Sequence, residues 1–257
     1  MFDLASGYYD FEDINHAAVG VMAELRPHLP ARPSVLDVGC GRGQQGQSVR
    51  RLGYRVTGIE RNADALRLAR ERLDEVVDAD LADAPAVTAA LEGRWFEVIL
   101  FADVLEHLSD PLTILRFYRR FLAPGGRIVI SVPNIACWDR RLALLFGRFD
   151  YADSGVMDRT HLRFFTFRTL HQLLREAGMA PQAVRHTPGI VRAFLPLIKR
   201  LYLRNSRGGP PNPDAILSSP AYRFYEKWLL PVEQAVSGLR REVLAFRIVV
   251  LAVPVEW

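Results

Sequence analysis

The sequence predicts an α/β protein built on a parallel sheet with helices on both faces, and three observations carry that expectation. Strand-like apolar runs alternate with helical stretches from residue 34 to residue 132. The first of these runs opens into a glycine-rich turn, VLDVGCGRGQQG, at residues 35–46. The 257 residues are 49% hydrophobic and 24% charged, enough for a sizeable core, which excludes a disordered or collagen-like chain.

The elements follow in order. Residues 11–29 place Ile14, Ala17, Ala18, Val21, Met22 and Leu25 at helical spacing, and Pro30 and Pro33 end that helix. Strands are expected at 34–39, 55–60, 75–80, 96–102 and 127–132, separated by helices at 43–52, 63–73, 85–91 and 111–122. Residues 134–167 are rich in Arg, Asp, Phe and Tyr with weak periodicity, the pattern of a loop and short helix over the C-terminal edge of the sheet. A helix at 167–177 and a strand near 182–186 come next. Residues 189–243 hold an amphipathic segment (190–203), a turn-rich linker, NSRGGPPNPD, and an aromatic helix, AYRFYEKWLLPVEQAVSGL. LAFRIVVLAV at 244–253 then supplies an interior strand. The expectation is one domain over 1–257: a helical cap (1–30), a core (31–188), a helical insertion (189–243) and the final strand region (244–257).

The basic residues number 33, all Arg except Lys199 and Lys227, against 29 acidic ones. Residues 1–134 hold 15 basic and 19 acidic side chains, and the remainder 18 and 10, so the positive charge lies in the second half. No Lys-rich stripe or RNA module accompanies it, which weighs against a nucleic-acid partner. Cys40 and Cys137 make neither a disulfide framework nor a metal spacing. With no apolar leader and no run long enough to span a bilayer, a cytoplasmic protein is expected.

In the glycine-rich turn, Gly41, Gly43 and Gly46 satisfy the G-x-G-x-x-G dinucleotide pattern, and Glu60 stands where a ribose hydroxyl would be held. A nicotinamide enzyme is therefore one reading. Asp37, two residues before Gly39, argues for another: it would repel a pyrophosphate but could hold an ammonium group. At this point 35–43 resembles the first motif of the class I S-adenosylmethionine-dependent methyltransferases. That resemblance implies a Rossmann-like, doubly wound seven-stranded sheet whose last strand is antiparallel, with a helical insertion before it. It also implies that Asp37, Gly39, Cys40, Gly41 and Gly43 surround the methionyl part of the cofactor, with Glu60 and Arg61 at the ribose. Asp80 would accept the adenine amino group, Leu81 would lie beside the ring, and Ala102 and Asp103 would flank the sulfonium.

The stretch SVPNIACWDRRLALLFGRFDYADSGVMDRTHLRFFT (131–166) is similar to methyltransferases related to the methionine-biosynthesis MetW group, including those of polysaccharide and lipid-linked glycan clusters. The resemblance supports methyl transfer more than any one acceptor; the expectation is a small-molecule or glycan acceptor, methylated on an oxygen of a sugar, a lipid-linked glycan or a secondary metabolite. A non-catalytic cofactor-binding regulator, and N- or C-methylation, are the alternatives. His107 and His161 are the candidate bases, because imidazole titrates near neutrality and each has a carboxylate nearby, Glu106 and Asp158. Asp103, Glu106 and His107 also resemble the magnesium set of some ubiquinone-biosynthesis O-methyltransferases; Asp103 is shorter than the usual Glu, and no metal is assigned.

Tyr8, Tyr9 and Phe11 could cap the cofactor or staple the first helix. Arg140, Arg141, Arg148, Arg159 and Arg163 could bind an anionic acceptor or pair with the neighbouring aspartates. The basic amphipathic segment 190–203, kinked by Pro196, suits a membrane interface, although packing on its own domain or on a second copy is the commoner use of such a stripe.

Overall fold

The structure, a computed structural model, describes residues 14–190 and 224–255. Its sheet has seven strands: β1 (Ser34–Val38), β2 (Arg55–Glu60), β3 (Glu75–Asp78), β4 (Phe96–Ala102), β5 (Leu122–Pro133), β6 (Met179–Pro188) and β7 (Ala245–Pro254). Their order is β3-β2-β1-β4-β5-β7-β6. β7 enters antiparallel between β5 and β6, as expected of the final strand.

The strands are apolar on both sides because both sides are covered. Val35, Val98, Leu100, Val129 and Val249 face α1 (His16–Leu25) and α2 (Gln44–Arg51), along with α3 (Ala63–Arg72). Their neighbours Leu36, Ile99, Ile128, Ile130 and Val250 face the opposite way, toward α4 (Ala84–Ala90), α5 (Pro111–Tyr118) and α7 (Phe167–Glu176). This period of two places each large side chain in one of two cores. Full burial of such a side chain stabilises by about 1.5–3 kcal/mol.

Polar caps set the helix starts. Asn15, Asn62, Asp83 and Asp110 accept from backbone amides three residues on, and Thr166 and Thr169 cap α7 reciprocally. The Asn15 cap starts α1 at His16, and Pro27, which lacks an N–H, turns its end into a 3-10 segment, Arg26–His28. The first helix is therefore shorter than 11–29, and its first three expected residues lie outside the described ones.

Three further boundaries differ from the sequence expectation. β3 stops at Asp78, because the Asp80 carboxylate accepts from the Ala82 amide at 2.9 Å and turns the chain toward α4. α5 stops at Tyr118, because Leu122 already pairs with Phe96 before β5 shifts register onto Val98. Of the expected insertion, a π-helical turn (Tyr225–Leu229), α8 (Leu230–Leu239) and α9 (Arg241–Leu244) are described. The 191–203 segment, the linker and the N-terminal aromatics lie outside the described residues. α8 rests on β6 through Ser237, whose hydroxyl is 2.8 Å from His186 Nε2. Among the described residues no helix is long and apolar enough to cross a membrane.

Gly58 gives the sheet a testable weak point. A β-carbon there would sit 2.5 Å from Cys40 Sγ and 2.7 Å from Leu73 Cδ1. Gly58→Ala is expected to destabilise the fold by about 1–3 kcal/mol through overpacking. Urea unfolding checks it, and Cys40→Ala should recover part of the loss.

Candidate active site

The chain leaves β1 through Gly39, Gly41 and Gly43, at φ of 69°, 52° and 80°, a region that side chains resist. Gly43 precedes α2 without a side-chain cap, and the Gly46 amide of the first turn is directed at the Asp37 carboxylate. A β-carbon on Gly39 would lie 3.1 Å from Val104 Cγ2 and 3.3 Å from Leu81 Cδ2. The glycine turn, the turn after β3 and the loop after β4 thus converge on one place.

Glu60 ties this turn to the tip of β2. One carboxylate oxygen accepts from the Gly41 amide at 3.0 Å; the other accepts from the Arg61 and Asn62 amides, both at 2.8 Å. Cys40 is buried, and its amide donates to the Ile59 carbonyl at 3.0 Å. Burial, reinforced by Asp37 and Glu60, raises its thiol far above the usual range and keeps it inert. Arg61 and Asp80 meet at 2.6 Å on the exposed rim between β2 and β3.

Asp37 lies beneath the turn at 1% exposure, and its Oδ2 has no hydrogen-bond partner. Burial, then the Glu60 charge, pushes this carboxyl up to about 7 against the opposing Gly46 amide.

β4 ends at half-buried Ala102, and Asp103 follows as the only non-glycine residue with positive φ (55°) among those described. Its amide lies 3.1 Å from both the Ser131 carbonyl and hydroxyl oxygens, and the Ser131 hydroxyl donates to its carboxylate at 3.2 Å. Arg247 of β7, 8% exposed, pairs with the same carboxylate at 3.1 Å. Sequence reasoning missed Arg247; the available signal was one arginine near the start of an interior strand, where an unpaired charge is not tolerated. Arg247→Leu is expected to lose about 2–3 kcal/mol, less than a fully buried pair would, because the Asp103 side chain retains 23% exposure. Chemical denaturation checks this, and Asp103→Asn in the same chain should restore part of it.

The two histidines, 54 residues apart, come together with ring centroids at 4.8 Å in an edge-to-face arrangement. Their neighbouring carboxylates do not orient them, contrary to the sequence expectation. The Thr160 hydroxyl donates to Asp158 Oδ1 at 2.6 Å, so its oxygen accepts from His107 Nδ1 at 3.1 Å. The Thr160 carbonyl lies 3.3 Å from the same nitrogen. His161 Nδ1 donates to the Val156 carbonyl at 3.1 Å. Both rings therefore carry their neutral-state proton on Nδ1, which makes Nε2 the basic nitrogen. Burial and the neighbouring His161 pull His107 down to about 4, and burial also lowers His161.

Glu106 is 1% exposed, and neither carboxylate oxygen has a hydrogen-bond partner. Burial and the Asp103 charge hold its carboxyl well above the usual range. Its carbonyl accepts from the Leu162 and Arg163 amides, fastening the loop after β4 to the 150–165 segment. The magnesium set implied by the resemblance does not fit: Asp103 turns to Arg247 and Ser131, and the converging donor atoms belong to Glu106, His107 and His161, within 4.8 Å of one another.

α6 (Trp138–Leu145) and the following chain line an open cavity of about 320 Å³, with Trp138, Phe149 and Met157 in its wall. The arginines of this region are engaged locally. Arg140, Arg148 and Arg159 pair with Asp139, Asp150 and Asp153, while Arg141 and Arg163 donate to the Ala136 and Ser109 carbonyls.

This sheet order and glycine turn define a class I methyltransferase fold of the S-adenosylmethionine-dependent type. The sequence profile of the family described as "Methyltransferase domain" matches residues 11–184, and the chain belongs to that family. It is similar to a ubiquinone biosynthesis O-methyltransferase of Cereibacter sphaeroides, 33% identical over 152 residues, which are 57% of this chain and 60% of that protein. A Burkholderia pseudomallei protein of the same name is 30% identical over 214 residues, 79% of this chain and 88% of that one. A crystal structure of an S-adenosylmethionine-dependent methyltransferase from Archaeoglobus fulgidus superposes with a TM-score of 0.53 at 18% identity, covering 92% of this chain and 94% of that one.

Proposed function

We propose that the chain transfers the methyl group of S-adenosylmethionine to an oxygen of a small acceptor held under α6. The carrying observation is the loop after β4, which lays Val104 against the glycine turn and, three residues on, presents His107 beside His161. Two relatives whose names specify O-methylation, at 30–33% identity, support the same reading. The likeness of 131–166 to the MetW group points toward a sugar, a lipid-linked glycan or a secondary metabolite as acceptor.

The residues present fit the cofactor. Asp37 offers a buried carboxylate oxygen lacking a partner beneath a turn whose glycines permit close approach. Glu60 is held by three amides at the tip of β2, the place of a ribose diol. Leu81 provides an apolar wall beside Gly39, and Asp80 lies next to it. When bound, S-adenosylmethionine supplies a sulfonium methyl open to in-line displacement. The chain's own work is to position the acceptor hydroxyl and receive its proton at an imidazole Nε2.

The test is to incubate the purified chain with methyl-labelled S-adenosylmethionine and a panel of phenolic, sugar and lipid-linked acceptors. A product carrying the labelled methyl on oxygen is expected. Binding without transfer to any acceptor would instead identify a regulatory partner, and label on nitrogen or carbon would move the chemistry to another atom.

A further inference from the structure

A second cavity lies at the edge of the sheet opposite the glycine turn. The end of α5, the 3-10 turn that follows it (Arg119–Phe121) and the end of α7 frame an open space of about 630 Å³ walled by Arg116, Arg119, Arg120 and Arg175. Register fixes its position. Leu122, just past the turn, pairs with Phe96 at the start of β4, whereas the glycine turn leaves the end of β1, which runs parallel to β4. The seven residues of β4 hold the two edges about 20 Å apart.

Two of the four arginines have a structural use and two do not. Arg116 donates from Nε and Nη2 to the Glu176 carbonyl at 3.2 and 2.8 Å, and Arg119 Nη1 donates to the Ala177 and Gly178 carbonyls, both at 3.1 Å. These bonds satisfy the last carbonyls of α7 and offset the negative end of its dipole. They also fix both guanidinium groups while leaving part of each donor fork unspent. Arg120 lies over the Phe117 ring at 4.8 Å, and the Arg175 side chain makes no hydrogen bond or ion pair among the described residues. None of the four is paired with a carboxylate there, whereas Arg140, Arg148 and Arg159 beside α6 each have an aspartate.

Such a concentration of one charge is costly to the fold. Positions 116, 119 and 120 are neighbours on one helical turn, where like charges repel, and Arg175 joins them from α7. The wall's one carboxylate, Glu176, accepts from Gln172 Nε2 at 2.9 Å along its own helix. A multivalent anion would relieve the repulsion, and guanidinium forks match phosphate oxygens two at a time. Among the described residues the wall holds no aromatic ring on which a nucleobase could stack, so it selects for charge. We propose that this cavity binds a soluble anion carrying two or more phosphate groups, at a site separate from that of methyl transfer and independent of it.

The test is calorimetric titration of the full chain with inorganic triphosphate in about 0.15 M salt, where attraction to scattered surface charge is screened. One equivalent should bind, at least tenfold more tightly than sulfate. Arg120→Ala and Arg175→Ala, which remove no hydrogen bond of the fold, should each weaken binding tenfold or more. Arg168→Ala, at the other end of α7, should change it less than twofold. S-adenosylhomocysteine should bind alongside triphosphate without displacing it. No saturable triphosphate binding by the wild-type chain would overturn the proposal whether or not the variants fold, as would an Arg168→Ala loss equal to that of Arg175→Ala. Displacement of triphosphate by S-adenosylhomocysteine would overturn it too, by moving the anion to the cofactor's place. Retention of the chain on phosphatidic acid vesicles, lost in Arg120→Ala and unaccompanied by triphosphate binding, would overturn the soluble ligand in favour of a lipid headgroup.

Discussion

Replacing His107 or His161 by alanine is expected to slow methyl transfer about 100-fold or more while leaving the affinity for S-adenosylmethionine within about twofold. The separation follows from the geometry. The groups assigned to the cofactor sit on β1, β2 and the turn after β3, whereas the imidazoles lie across the loop after β4, held by Thr160 and Val156. Single-turnover rates and calorimetry on the same preparations measure the two quantities independently. Wild-type rates in both variants would remove the histidines from the reaction, and a large loss of cofactor affinity would make them parts of the binding wall. The pH profile is a further check. Because His107 is pulled down to about 4, it stays unprotonated through neutrality and should add no inflection between pH 6 and 8.

Cofactor affinity should itself depend on pH, in a direction set by Asp37. Its carboxyl, pushed up to about 7, is largely protonated at pH 6 and largely ionised at pH 8. An arriving ammonium favours the ionised form, so binding below pH 7 must expel a proton. Affinity should therefore rise about tenfold from pH 6 to pH 8. Asp37→Asn should flatten that dependence, and calorimetry in buffers of different ionisation enthalpy should register proton release at pH 6 in the wild-type chain. A flat profile in the wild type would place Asp37 in the support of the turn at Gly46, with no charge contribution. Glu60→Ala should weaken binding by about 1.5–3 kcal/mol at any of these pH values, since it removes a charge-assisted acceptor and frees the Gly41 amide.

What the sequence made legible was local. Alternating apolar runs, glycines at a strand-to-helix turn and polar residues ahead of helices act over a few neighbours, and β2 and β4 appear within the bounds read from them. Glu60 could be located because a strand tip a fixed distance beyond such a turn is a local inference as well. The histidine pair depends on contacts between distant segments. Glu106 and Asp158 looked like the natural orienters of the histidines because they are near in sequence, yet the atoms on the rings are the Val156 and Thr160 carbonyls, which no pattern marks, and the Thr160 hydroxyl, through which Asp158 reaches His107 and not His161. Arg247 lies 144 residues from Asp103, and only the antiparallel insertion of β7 brings them together.

That insertion also governs the order in which the molecule can be assembled. β6 has no hydrogen-bonded place in the sheet until β7 fills the gap beside β5. Residues 34–133 can form their parallel layers as they are synthesised, but the last two strands must join together, after residue 254 has been made. Until then Asp103 lacks its arginine and the flank of β5 stays open to pairing with another chain. Conditions that slow or truncate synthesis near the C-terminus should therefore favour aggregation through β5 over a partly active enzyme.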